Sequence, residues 1–364
     1  MLLNRHVVSL ALWSCSLNLL LQSTMTPAQA RAGGEAPKVV VEADGTVEVP
    51  AQTVPMSTFL SPEAKAYVTQ HLKDMQNPDI LTQDAGVPRF MKPYLEHDYL
   101  LFAVEKKDEK VGGVHAYVYT PKAGVPARNK NRVLINLHGG FSGCWPGCAE
   151  LESIPVSALG QIEVISVDYR EGPEYKFPAA SEDVASVYRE LLKTYKPQNI
   201  GIYGCSAGGM LTAMSMAWFQ THDLRARGAM GIFCASAGGA FGGDALYTAG
   251  PLGEARMASP SGSGAPPPLS YSSGTDPKDP QVAPVNSPEV LAKFPSTLMI
   301  TGTRGFELSA ALYTHEQLVK AGVDTELHVW EGLFHGFFYN VNVPESKDAL
   351  DVIVKFFDGH LGRR

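Results

Sequence analysis

The chain has 364 residues, 45% of them hydrophobic and 18% charged, with a formal net charge of −7. That is enough apolar material for a sizeable globular core, as one large domain or two ordinary ones. The acidic balance and the lack of a long basic run argue against nucleic acid as a partner and offer nothing to an anionic membrane surface. None of the ten histidines lies in an HExxH or clustered Cys/His spacing, so no metal site is indicated.

Residues 1–30 read as a signal peptide. Arg5 supplies the positive start, and an apolar stretch runs from Val7 to Leu21. Thr26-Pro27-Ala28-Gln29-Ala30 then resembles an A-x-A cleavage site. The stretch is short for a membrane span and is interrupted by Ser14, Ser16 and Asn18. An uncleaved anchor, or a lipoprotein at Cys15, is the weaker alternative. The expectation is a secreted or periplasmic protein that begins near Arg31, with no stable membrane anchor after cleavage. Export permits disulfides. Cys144 and Cys148 are the candidate pair, in a small closed loop, against the alternative of two free thiols.

Residues 31–55 read as an extended leader. Ser61-Pro62-Glu63 opens a helical pattern through about Asp74, with serine as cap and proline at the first helical position. A looser segment follows from Asn77 to Pro93. From about Tyr99, strand candidates stand at 99–105, 113–120, 132–138, 162–168, 199–204, 228–234, 297–302 and 325–330. Helical patterns such as 179–196 and 207–220 lie between them. Runs such as Val133-Leu134-Ile135 are continuously apolar, as in strands buried on both faces. Strand–helix alternation predicts an α/β fold, a mostly parallel sheet with helices on both faces. The first strands, joined without a helix, predict an antiparallel start. Residues 249–289 are dense in Pro, Gly and Ser and are expected to form an ordered loop bordering the pocket, the alternative being a disordered linker.

Three motifs carry chemistry. Gly204-Cys205-Ser206-Ala207-Gly208 follows an apolar strand and precedes a helix. That is the setting in which G-x-S-x-G exposes a nucleophilic serine on a tight turn. His138-Gly139-Gly140-Phe141 follows another strand, and its glycines let two backbone N–H groups face a carbonyl oxygen. His335, in Gly332-Leu333-Phe334-His335-Gly336-Phe337, comes last in the order Ser…acid…His, where it would act as general base.

With Ser166-Val167-Asp168-Tyr169-Arg170, Pro173-Glu174 and Phe177-Pro178-Ala179-Ala180, these motifs make the chain resemble the hormone-sensitive-lipase-like branch of the α/β-hydrolases (the family IV bacterial esterases), from about Tyr99 to the C-terminus. The resemblance implies an eight-stranded sheet over 99–364 and a helical cap to which 31–98 contributes. It also implies hydrolysis of small-molecule carboxylic esters through a Ser206 acyl-enzyme, without cofactor. Gly139, Gly140 and Ala207 would supply the oxyanion N–H groups.

Three departures stand out. Phe141 replaces the third glycine of the family's HGGG, so it should line and narrow the substrate pocket. Cys205 replaces the usual aspartate before the nucleophile, and is expected to point into the sheet, near enough to Cys234 for a bond to be open. Gly305 stands where the triad acid belongs. Glu307, two positions on, is the expected acid. Asp276 and Asp279 remain alternatives. Asp324 lies at the wrong end of the sheet, and Glu331 reads as a local partner. The missing acid also motivates a rival reading, a non-catalytic ligand-binding relative of the hydrolases. Amide or lactone hydrolysis by the same machinery is a third.

Overall fold

A computed structural model describes residues 38–84, 86–140, 143–255 and 270–362. The proposed signal peptide and Phe141 lie outside them. The chain divides into two compact units, residues 1–54 and 55–364. In the first, Val40–Val41 pairs antiparallel with Val47–Glu48.

The second unit opens with α1 (Pro62–Met75). The Ser61 hydroxyl caps it by accepting from the Ala64 N–H at 3.0 Å. A short antiparallel pair, Gln83–Asp84 with Val87–Pro88, leads to α2 (Lys92–Leu101). Here the first strand expectation is corrected. Tyr99–Leu101 form the last turn of α2, and β1 is Val104–Val111. The aromatic and leucine texture at 99–103 looks strand-like, but Pro93 opens a helix that carries through it. β1 itself is a charged run, Glu105 to Lys110, exposed between Val104 and Val111 at its ends.

After β1 come β2 (Val114–Pro121), β3 (Val133–Leu137), α3 (Gly147–Gly160), β4 (Glu163–Val167), α4 (Ala179–Leu191), β5 (Ile200–Cys205), α5 (Ala207–Thr221) and β6 (Ala229–Phe233). Then follow α6 (Ala245–Glu254), α7 (Pro288–Leu291), β7 (Ser296–Gly302), α8 (Leu308–Lys320), β8 (Thr325–Trp330) and α9 (Pro344–His360). The eight strands lie in the order β8-β7-β6-β5-β3-β4-β2-β1. β2 pairs antiparallel with β1 and β4, and the other pairings are parallel. This is the expected α/β-hydrolase arrangement.

Alternation along the strands builds two cores. Val133, Ile135 and Leu137 of β3, with Ile200 and Ile202 of β5, face α4, α5 and α8. Leu134, Tyr203, Cys205 and Phe233 face α1, α3 and α9. The parallel strands aim their carboxyl ends at one edge of the sheet, where such folds place their sites.

The segment 249–289 is also corrected in part. Ala249–Glu254 are helical, the last turns of α6, which runs through Pro251. Residues 256–269 lie outside the described residues. Tyr271 is buried against the β4–α4 connection, where its hydroxyl accepts from the Ala180 N–H at 2.8 Å.

Candidate active site

Ser206 sits between β5 and α5 at φ 56°, ψ −121°, a left-handed conformation that strains any residue with a Cβ. The flanking glycines make this turn possible. A Cβ at Gly204 would stand 2.2 Å from the Leu137 carbonyl oxygen, and one at Gly208 1.7 Å from it. The elbow is tied to the next strand, since the Ser206 N–H donates to the Phe233 carbonyl at 2.8 Å. The His335 loop is tied to the same strand end, where the Gly336 N–H donates to Cys234 Sγ at 3.3 Å. Serine and histidine are thus both anchored at the end of β6.

Glu307, just ahead of α8, is fully buried. Its Oε2 lies 3.0 Å from His335 Nδ1, and its Oε1 accepts from the Thr301 hydroxyl at 2.8 Å. Burial pushes the Glu307 carboxyl up, but the charge and hydrogen bond of His335 outweigh it, and the net shift is downward. For His335, burial is the largest single influence and pulls down, but Glu307, with smaller contributions from other nearby groups, raises it overall, to about 9. The Phe306 ring stacks on the imidazole with centroids 4.5 Å apart. A proton on Nδ1, held toward Glu307, leaves Nε2 as the accepting nitrogen.

Gly305 explains how the shifted acid fits. A Cβ there would meet Glu307 Oε1 at 2.5 Å and Oε2 at 2.9 Å. Gly305→Ala should therefore push the carboxylate off His335 and lower kcat by about 10²-fold, as a displacement of about 1 Å does. Steady-state kinetics on the folded variant checks this, and an unchanged kcat would contradict it. The alternative acids are engaged elsewhere. Asp276 and Asp279 accept from the Lys278 and Gln281 amides, Asp324 from Ser296, and Glu331 from Thr303.

The oxyanion turn requires one correction. The Gly139 N–H donates to Glu152 Oε1 at 2.9 Å, so it is turned inward and does not face a substrate. Gly140 (φ +72°) and Ala207 donate to no partner among the described residues. Ala207 also opens α5, where free N–H groups and the helix dipole favour negative charge. His138 braces the turn from within. Its Nδ1 lies 2.8 Å from the Gly139 carbonyl oxygen, and its ring stacks on Tyr169. Burial drives the His138 pKa down to about 4, so it is neutral.

Cys144 and Cys148 are disulfide-bonded, with Cα atoms 5.5 Å apart. The bridge lies against the oxyanion turn, because a Cβ on Gly140 would stand 2.8 Å from Cys144 Cβ. Cys205 and Cys234 are buried free thiols, and no disulfide joins them. Cys234, Glu307 and His335 bring potential ligand atoms within 4.8 Å of one another. Within this cluster, Glu307 and His335 are already hydrogen-bonded to each other, and Cys234 Sγ accepts from the Gly336 N–H. The cluster therefore reads as the acid–base pair beside a packing thiol.

The sequence reading missed Glu152, Asn136 and Tyr339, which meet behind the oxyanion turn. The available signal was an acidic residue on the apolar side of α3, between Leu151 and Ile154.

The α/β-hydrolase fold family matches residues 134–339, more than half of the chain. The chain belongs to that family. An acetyl-hydrolase of Streptomyces hygroscopicus is 28% identical over 244 residues, spanning 64% of this chain and 77% of its own. An esterase of Acinetobacter venetianus is 27% identical over 288 residues, 74% of this hydrolase and 88% of its own length. Among solved structures, the esterase E25 superposes with a TM-score of 0.71 at 25% identity, covering 86% of this hydrolase and 98% of E25. An esterase of the bacterial hormone-sensitive lipase family matches the fold with a TM-score of 0.69 at 23% identity, covering 83% and 99% of the two chains. The family match shows the expected α/β-hydrolase family, and the likeness of fold extends to an esterase of the branch that the motifs resemble.

Proposed function

We propose that this hydrolase is a serine carboxylesterase acting through a Ser206 acyl-enzyme. The observation that carries the reading is the Glu307–His335 pair, 3.0 Å apart and anchored at the strand end that also holds Ser206. Ser206 Oγ attacks the ester carbonyl carbon while His335 Nε2 takes its proton. Negative charge on the carbonyl oxygen is met by the Gly140 and Ala207 N–H groups. The intermediate collapses, the alcohol leaves with the proton from His335, and water repeats the sequence to release the acid. The acetyl-hydrolase and esterase relatives support ester substrates. The rival, a non-catalytic binder, was motivated by the missing acid, and Glu307 beside His335 removes that motive.

Turnover of chromogenic acetate and butyrate esters, with covalent labelling of Ser206 by an organophosphate, is the test. Absence of both would return the non-catalytic binder as the better reading. Short acyl chains should be preferred, because Phe141 replaces a glycine beside the oxyanion turn. A long-chain ester hydrolysed faster than butyrate would contradict this. We further propose export to an oxidising compartment. The A-x-A-like site at Ala28–Ala30 and the Cys144–Cys148 disulfide support it. Intact mass of the exported chain, expected to begin near Arg31, checks the cleavage.

A further inference from the structure

Glu152 is a charged side chain in an improbable place. It lies in α3, 3% exposed, with no basic partner among the described residues. Glu150, two residues earlier, pairs with Lys106 Nζ at 2.7 Å. Glu152 is surrounded instead by four hydrogen-bond donors from three separate parts of the site. Oε1 accepts from the Gly139 N–H at 2.9 Å and from the Tyr339 hydroxyl at 2.8 Å. Oε2 accepts from Asn136 Nδ2 at 2.8 Å and from the Cys205 N–H at 3.2 Å.

These donors belong to the pieces that must be in register for ester hydrolysis. Asn136 and Gly139 bracket the passage from β3 into the oxyanion turn. Cys205 immediately precedes Ser206. Tyr339 lies four residues beyond His335. Two of the donors are amides, which donate only. Asn136 turns its Oδ1 to the Ser166 hydroxyl at 2.6 Å, which leaves its NH₂ for Glu152. A group that only accepts, at two oxygens with two lone pairs each, satisfies all four together. A carboxylate does this. An amide would set its NH₂ against a backbone N–H at either position, that of Gly139 or that of Cys205. Burial pushes the Glu152 carboxyl up, to about 7, against the pull of these four bonds.

We propose that Glu152 is a positioning residue for ester hydrolysis, its carboxylate fixing the oxyanion turn, the nucleophile elbow and the histidine loop relative to one another. It touches no substrate. By holding the Gly139 N–H inward it sets the direction of the next amide, that of Gly140. By holding the Cys205 N–H it sets the backbone that leads into Ser206. Its role rests on the Ser206 esterase reading.

The test is Glu152→Gln, with kcat measured per active site titrated by an organophosphate and thermal melting followed in parallel. The expected result is a fall of about 10²-fold in kcat, the effect of a displacement of about 1 Å at the reacting atoms. KM should stay within about twofold, because the interaction lost belongs to the transition state. Tyr203→Phe is the structural control. It removes a bond of 2.9 Å to the Glu152 backbone carbonyl and leaves the carboxylate alone, so it should lower the melting temperature without changing kcat. If Glu152→Gln melts earlier but keeps its kcat per titrated site, the residue is structural and the proposal is overturned. If Glu152→Gln does not fold, Tyr339→Phe decides. It removes one donor from Oε1 and should lower kcat several-fold at constant KM, and an unchanged kcat overturns the proposal. A wild-type chain that hydrolyses no ester overturns both readings, whereas turnover unaffected by these variants overturns this one alone.

Discussion

Replacing Glu307 by glutamine should lower kcat by about 10⁴-fold while the fold persists. The side chain keeps its size and can still accept from the Thr301 hydroxyl at 2.8 Å. What it loses is the charge facing His335 Nδ1. An amide NH₂ directed at that nitrogen would favour the tautomer with its proton on Nε2, where it cannot accept from serine. The pH profile should move as well. In the wild type, Glu307 holds the His335 pKa up at about 9 against the downward pull of burial. Protonated His335 cannot act as base, so kcat/KM of the wild type should rise with pH through about 9 and then level. In the variant the Glu307 contribution is gone and burial is opposed only by the weaker upward pull of other nearby groups, so the residual activity should rise at lower pH. A variant with unchanged kcat and an unmoved limb would remove Glu307 from the mechanism.

Ser206→Ala should have the largest effect, about 10⁶-fold in kcat, with no burst and no organophosphate adduct. Alanine has the same backbone limits as serine, so the variant should inherit the strain at φ 56° and fold as the wild type does. Ser206→Gly separates chemistry from strain. It should be equally inactive, yet more stable by about 1 kcal/mol, because glycine occupies that region without a Cβ clash. Melting curves of the two variants beside the wild type check the pair. Residual turnover near the wild-type level in either would displace Ser206 as nucleophile.

Much of the fold and most of the candidate site were legible because their signals are local. Gly204 and Gly208 announce a turn that no other residue could close, and the apolar run Ile200–Tyr203 announces a buried strand before it. Glu307 could be picked out because it follows just after the seventh strand on the carboxyl side of the sheet, and the structure adds that its carboxylate fills the space a side chain at Gly305 would take. The failures have physical causes too. β1 escaped because Glu105–Lys110 form a solvated edge strand, held by pairing with β2 and carrying no apolar alternation of their own. The end of α6 escaped because Pro251 looks like a breaker, although the structure carries the helix across it. The inward turn of the Gly139 amide was not readable at all, since its acceptor lies 13 residues away on α3 and meets it only once the sheet and helix are packed.

The contact between Gly305 and the Glu307 carboxylate has a consequence for how such a site can change over generations. Any side chain at 305 intrudes on the carboxylate at 307, so the two positions are not independent. Gly305→Asp alone would crowd two carboxyl groups into a space built for one. Removing Glu307 alone would leave His335 without an acid. Each single step passes through a crippled enzyme, and only the paired exchange restores a full set. The location of the acid is therefore held in place by coupling between positions 305 and 307: neither can change usefully without the other.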